Sequence, residues 1–153
     1  MKAFLEDIPS KKGKASFYST RITVQSFEFK WHYHPEFELT YIVSGSGYRI
    51  VGNSHEHFSS GDLVLLGSNL PHTWWGKNED GSLSEAIVIQ FSNEFIEPFL
   101  KLNEGHAIKA LLERAAKGLR FESDAALVDK LVSIGQTKEM ESILSLLSIL
   151  QNL

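Results

Sequence analysis

The stretch His32-Tyr33-His34-Pro35-Glu36-Phe37-Glu38-Leu39-Thr40-Tyr41-Ile42-Val43-Ser44-Gly45 decides the fold. In an extended strand, residues i and i+2 point to the same side, roughly 6–7 Å apart. His32 and His34 therefore share a face. Pro35 cannot donate to a strand ladder, so it ends or bends the ladder there. Glu38 and Thr40 have the same parity and can swing toward the histidines beyond that bend. A second stretch, Phe58-Ser59-Ser60-Gly61-Asp62-Leu63-Val64-Leu65-Leu66-Gly67-Ser68-Asn69-Leu70-Pro71-His72-Thr73-Trp74, brings His72 from a different strand. Trp74 shares its parity. Three neutral imidazoles and one carboxylate (His32, His34, His72 and Glu38) suit Fe(II), Mn(II), Ni(II), Zn(II) or Cu(II), with nothing in the donor set to choose among them. The same four side chains can equally line a barrel and hydrogen-bond an effector or one another. An indole face at Trp74 suits stacking on a sugar ring or another flat apolar surface, or core packing.

The surroundings of these stretches bound the protein. At 153 residues the chain fits one domain with a short helical extension. A 42% hydrophobic share supports a full core. Cysteine is absent, which excludes disulfides, thiol catalysis and thiolate metal sites. The net charge of −4 argues against this segment gripping a phosphate backbone by itself. The one basic cluster, Lys11-Lys12-Lys14, reads as part of a solvated arm. Neither a signal peptide nor a long apolar span is evident, so a soluble, cytoplasmic protein without membrane contact is expected.

Strand signals dominate up to Phe91. Arg21 to His34, Phe37 to Val43, Tyr48 to Val51, Leu63 to Leu66 and Ala86 to Phe91 are short β-branched or aromatic runs, punctuated by Gly, Asn and Ser. They predict an antiparallel barrel or sandwich. His55 and His57 form a second His-x-His, read as part of a polar turn after Gly52-Asn53. Asp62 reads as a turn former that bonds local amides, and His106 has no evident partner.

From Ser92, a plausible N-cap, the period is helical. Ile108, Leu111, Leu112 and Ala115 recur at helical spacing and Gly118 stops them. Ala126, Leu127 and Leu131 predict a second helix, and a third is expected from a Thr137 cap. That last helix carries Met140, Ile143, Leu144, Leu146, Leu147, Ile149, Leu150 and Leu153, a stripe wider than one buried face needs. Met140, Ile143, Leu144, Leu147 and Leu150 are its candidate dimerisation residues.

The two quoted stretches resemble the paired motifs of cupins. The ending Pro71-His72-Thr73-Trp74 is more similar to the N-terminal sensing and dimerisation domain of AraC-family transcriptional regulators. Ser26 stands where the first motif would begin with glycine. Gly67, Asn69 and Gly76 depart from the second motif, where cupin enzymes usually carry proline, glycine and asparagine. The resemblance implies a mainly β, cupin-like jelly-roll barrel followed by C-terminal α-helices. It divides the chain into an N-terminal arm (1–14), a barrel (15–91) and a helical dimerisation extension (92–153). It further implies a homodimer that binds a small effector, such as a sugar or another small metabolite, through His32, His34, Glu38, Thr40, His72 and Trp74, with no catalytic residues. DNA would be read by a helix-turn-helix region expected downstream of Leu153. The alternative is a metal-dependent cupin enzyme, a dioxygenase or isomerase, with Zn, Ni, Fe or Mn held by His32, His34, Glu38 and His72.

Overall fold

A computed structural model of the chain describes residues 1–8 and 15–153. The Lys11-Lys12-Lys14 cluster lies outside the described residues. Among the described residues, ten strands pack as two five-stranded sheets. One, sheet A, is ordered β1 (Phe4–Leu5), β3 (His32–Tyr33), β8 (His72–Trp75), β5 (Gly47–Val51), β6 (Ser54–Phe58). The other, sheet B, is ordered β10 (Leu119–Phe121), β7 (Leu63–Leu66), β4 (Phe37–Ser44), β9 (Ser84–Phe91), β2 (Phe17–Val24). Every pairing is antiparallel except β1 with β3. Four helices follow: α1 (Asn93–Leu100), α2 (His106–Arg114), α3 (Ala125–Ser133) and α4 (Glu139–Gln151). The fold is mainly β and cupin-like.

Strand parity divides sheet B into two working faces. Phe37, Leu39, Tyr41, Leu63, Leu65, Ile87, Ile89 and Phe91 join residues of all four helices in the largest core cluster. Their even-numbered neighbours, among them Glu38, Thr40, Ile42, Ala86, Val88 and Gln90, line a cavity on the other face. This explains why β4 is buried on both sides over its first six residues: it is covered by helices on one face and by sheet A on the other. The helices are thus part of the main core rather than an appendage to the barrel.

Two departures from the expected second motif have a steric cause. A Cβ on Gly67 would lie 2.7 Å from Ala116 Cα, where Gly67 N–H donates to Ala115 O at 2.8 Å and docks the end of α2 on the barrel. Gly76, at φ +151°, abuts Gly47 in the same way, its Cβ position 2.7 Å from the Gly47 Cα.

Local expectations meet the structure unevenly. Ser92 caps α1 by accepting from Phe95 N–H at 3.1 Å, and Asp124 caps α3 through Leu127 N–H at 2.8 Å. Thr137 is not the cap of α4: its hydroxyl donates back to Ile134 O at 2.6 Å, and the helix begins at Glu139. The run Arg21 to His34 is not one strand, since residues 25–31 leave the ladder between β2 and β3. His55 and His57 lie on β6 rather than in the turn. His106 Nδ1 has a partner after all, Asn103 O at 2.9 Å. Residues 4–8 are not a free arm: β1 joins sheet A and Ile8 is buried. Within residues 92–153, β10 returns to pair with β7.

Candidate functional site

β3, β4 and β8 bring the motif residues together. His32 pairs in register with His72, and the ring centroids stand 4.2 Å apart. His34 lies 5.1 Å from His72 and 6.0 Å from His32 by the same measure. One imidazole nitrogen from each of the three lies within 4.8 Å of the other two. Glu38 sits beside them, with Oε2 3.0 Å from His34 Nε2 and 3.7 Å from His72 Nε2. It also accepts from Gln90 Nε2 at 2.8 Å and from Thr40 Oγ1 at 2.7 Å. Gln90 belongs to β9, directly across from Glu38; the sequence reading overlooked it. Its signal was the even parity it shares with Ala86 and Val88 in a run expected to be a strand.

Backbone carbonyls set the imidazole tautomers. Nδ1 of His32 meets Lys30 O at 2.7 Å, Nδ1 of His72 meets Leu70 O at 2.8 Å, and Nδ1 of His34 meets Glu36 O at 3.1 Å. A carbonyl only accepts, so each Nδ1 carries hydrogen and each neutral ring presents a lone pair at Nε2. His72 Nε2 is buried and makes no hydrogen bond. At His34 a lone pair faces the Glu38 carboxylate, which also only accepts, so a cation has to be shared there: a proton or a metal ion. A ring held through Nδ1–H to a carbonyl, with Nε2 free, is the usual bearing of a metal-binding histidine. The residues present therefore fit a divalent ion.

The electrostatics agree. Burial pushes the Glu38 carboxyl up, but the charge of His72 and the contact with His34 outweigh it, holding Glu38 well below the usual carboxylate range. Burial presses the His72 imidazolium down, but the Glu38 charge, the Leu70 carbonyl and the Glu6 charge together outweigh it, so His72 is raised. His32 is lowered by its own burial and then by the nearby His72 charge.

These groups border a cavity of about 420 Å³ between the sheets, within the usual range for small-molecule pockets. Thr40 and Trp74 line it with His32, Glu38, His72 and Gln90, while Ile8, Ile22, Phe27, Ile42, Ala86 and Val88 make most of its wall apolar. Trp74 Nε1 is buried without an acceptor. His34 is behind the lining, touching Glu38. Trp75 faces the other side of sheet A, stacked on Tyr48 at 5.7 Å.

Asp62 closes a turn through its backbone, its N–H donating to Ser59 O at 3.0 Å, but its side chain does not bond local amides. It is buried and accepts from Arg49 Nε at 2.8 Å and from Arg120 Nε at 3.1 Å. In α4, Met140 and Leu144 are exposed, but Leu150 is sealed in the core at 1% exposure. Leu150 therefore cannot belong to a contact seam. Among the described residues, no helix is long and apolar enough to cross a membrane.

No curated protein matches the chain in sequence. Residues 19–89 match the family described as Cupin domain. Among solved structures, ToxT from Vibrio cholerae with a bound unsaturated fatty acid is similar, at TM-score 0.63 and 15% identity, over 89% of this chain and 53% of that one. ToxT bound to (E)-4-(8-methylnaphthalen-1-yl)but-3-enoic acid gives TM-score 0.62 and 16% identity, over 88% and 54%. This chain spans about half the length of those structures. Sequence match and fold likeness converge on one architecture: a mainly β, cupin-like fold, here backed by a helical layer.

Proposed function

We propose that this chain is the effector-sensing part of an AraC-type transcription regulator, and that its effector is an amphipathic small molecule bound between the sheets. The observation that carries the reading is the cavity itself: its surface is mostly apolar, Thr40, His72 and Gln90 gather around Glu38 on one wall, further charged groups such as Glu28 and Lys30 also border it, and an indole N–H lacks an acceptor. Sugars need hydrogen bonds around their whole rim, so this lining favours a carbon-rich body with one polar end. The ligands named in the two ToxT structures have that combination, which supports the reading. Dimerisation through the exposed part of α4, Met140 and Leu144, belongs to the same proposal. So does DNA recognition by a helix-turn-helix region outside this segment.

The test is intrinsic tryptophan fluorescence against a panel of medium- and long-chain carboxylic acids and a panel of sugars. Carboxylic acids are expected to change the emission of the wild type, and Trp74→Phe is expected to remove most of that change. A response to sugars alone overturns the amphipathic class; no response to either panel overturns the sensing reading.

A second reading, a metal-dependent enzyme of dioxygenase or isomerase type, is favoured by the three Nε2 lone pairs. His32, His34, His72 and Glu38 would hold the ion, which would supply Lewis-acid polarisation of a ligand oxygen. Elemental analysis of protein purified without an affinity-column metal, followed by turnover assays of the loaded protein, tests it.

A further inference from the structure

Glu6 lies outside both motif stretches, yet its carboxylate reaches the imidazole cluster. β1 runs parallel to β3, with Phe4 N–H donating to Trp31 O at 3.2 Å and Glu6 N–H to Tyr33 O at 2.9 Å. This register carries Glu6 past His32 and sets its Oε2 3.4 Å from His32 Nε2. The Phe4 ring rests beside the same imidazole, with centroids 5.8 Å apart. Asp7 and Ile8 then continue along the cavity wall.

His32 Nδ1–H is committed to Lys30 O, so Nε2 turns a lone pair toward the Glu6 oxygen. Two acceptors at that distance repel unless a cation lies between them. Glu38 repeats the arrangement beside His34 and His72. Donors about 2.1 Å from one ion stand roughly 3.0–3.4 Å apart at octahedral or tetrahedral angles, and the Glu6–His32 separation matches that spacing. Charge points the same way. One carboxylate leaves a divalent ion with a net positive charge in a largely dry site, whereas two neutralise it.

We propose that Glu6 supplies a further donor to a divalent ion held by His32, His34, His72 and Glu38, so that ion binding fastens the N-terminal strand against the cavity. The proposal rests on the ion competence of the imidazole cluster and not on the identity of the effector.

Co(II) is the probe, since its visible bands report its donor set. Affinity is read by competition with a chromophoric chelator, and strand docking by hydrogen exchange at the Phe4 amide. Wild type, Glu6→Gln, Glu6→Asp, His34→Ala and the remote control Glu94→Gln are compared, with circular dichroism of each metal-free protein as the check on folding. Glu6→Gln is expected to weaken Co(II) binding roughly 10–100-fold, to alter the Co(II) spectrum, and to abolish the Co(II)-dependent slowing of exchange at Phe4. Glu6→Asp, one methylene short, is expected to fall between, and Glu94→Gln to match wild type. Wild-type affinity and spectrum in Glu6→Gln overturn the role of Glu6. Absence of Co(II) binding in wild type, or full binding by His34→Ala, overturns the ion site and the proposal with it. The effector reading is judged separately, by its own fluorescence response.

Discussion

Glu38 is the residue on which the site turns, because its two oxygens meet groups from β4, β8 and β9. Its folded pKa is depressed, so ionisation of Glu38 stabilises the fold above the ordinary carboxylate value. That contribution is lost as pH falls through the unfolded and then the folded pKa. Glu38→Gln keeps the shape, removes the charge and leaves the buried partners mismatched, an expected loss of about 3 kcal/mol near neutral pH. Urea unfolding of both proteins from pH 7 to pH 3 should show the gap narrowing below about pH 4.5; a gap constant with pH would mean that charge is not what Glu38 contributes. His72 works in the opposite sense: its folded pKa is raised, so its contribution is complete below the ordinary imidazole value and lost as pH rises through the folded one. His32, lowered, loses stability on acidification instead. Imidazole NMR titrations of the metal-free protein should therefore place His72 above about 6.5 and His32 below it, and the reverse order would refute the assignment. The parity of Glu38 with Thr40 was legible in the sequence because strand period fixes it; that these residues meet His32 and His34 was not fixed by period, since β3 and β4 belong to different sheets. Gln90 and Glu6 were not legible either, because their approach depends on which strands become neighbours.

At the scale of elements, what the sequence concealed is short or paired by charge. β1 and β10 have two and three residues, too few to display a period. Asp62 was read from its Gly61 neighbour, whereas its partners lie 13 and 58 residues away. The available hint was Arg49, which shares inward parity with buried Val51 and stands across from Trp74. Asp62 links β5 to β10, and through β10 to the connection between α2 and α3. Asp62→Ala leaves the buried Arg49 guanidinium with only the half-exposed Glu56 as partner, so a loss of about 3 kcal/mol is expected. Arg120→Ala removes a largely exposed partner and should cost less than about 1 kcal/mol. Equal losses in chemical denaturation would show that the two arginines are not distinguished by burial. The same separation applies along α4. Leu150→Ala opens a core cavity and should destabilise by about 2–5 kcal/mol. Leu144→Asp touches only an exposed position and should leave stability near wild type while halving the sedimenting mass of a dimer. A dimer that survives Leu144→Asp and Met140→Asp together would move the interface off this helix.

On the scale of the whole molecule, sheet B joins two environments through alternate side chains of the same strands. Even residues of β2, β4 and β9 border the cavity and odd residues of β4, β7 and β9 pack with all four helices, so whatever fills the cavity presses on the sheet that carries the helical layer. The sequence revealed the alternation and the helices; it could not reveal that both belong to one core, because parity says nothing about what covers a face. Occupancy should therefore be felt globally. An effector at a hundredfold excess over its Kd stabilises by about 2.7 kcal/mol, a rise of roughly 5–10 °C in the midpoint of a chain this size. Val88 is the position from which to block it, since it lies between Thr20 and Thr40 in register and lines the cavity while only partly buried. Val88→Phe is expected to fill that space from the inner face without touching the helices. The ligand-free midpoint should then stay within a few degrees of wild type, with both the ligand-induced rise and the Trp74 response lost. If Val88→Phe keeps the full rise, the effector binds elsewhere and the cavity between the sheets is not the sensing site.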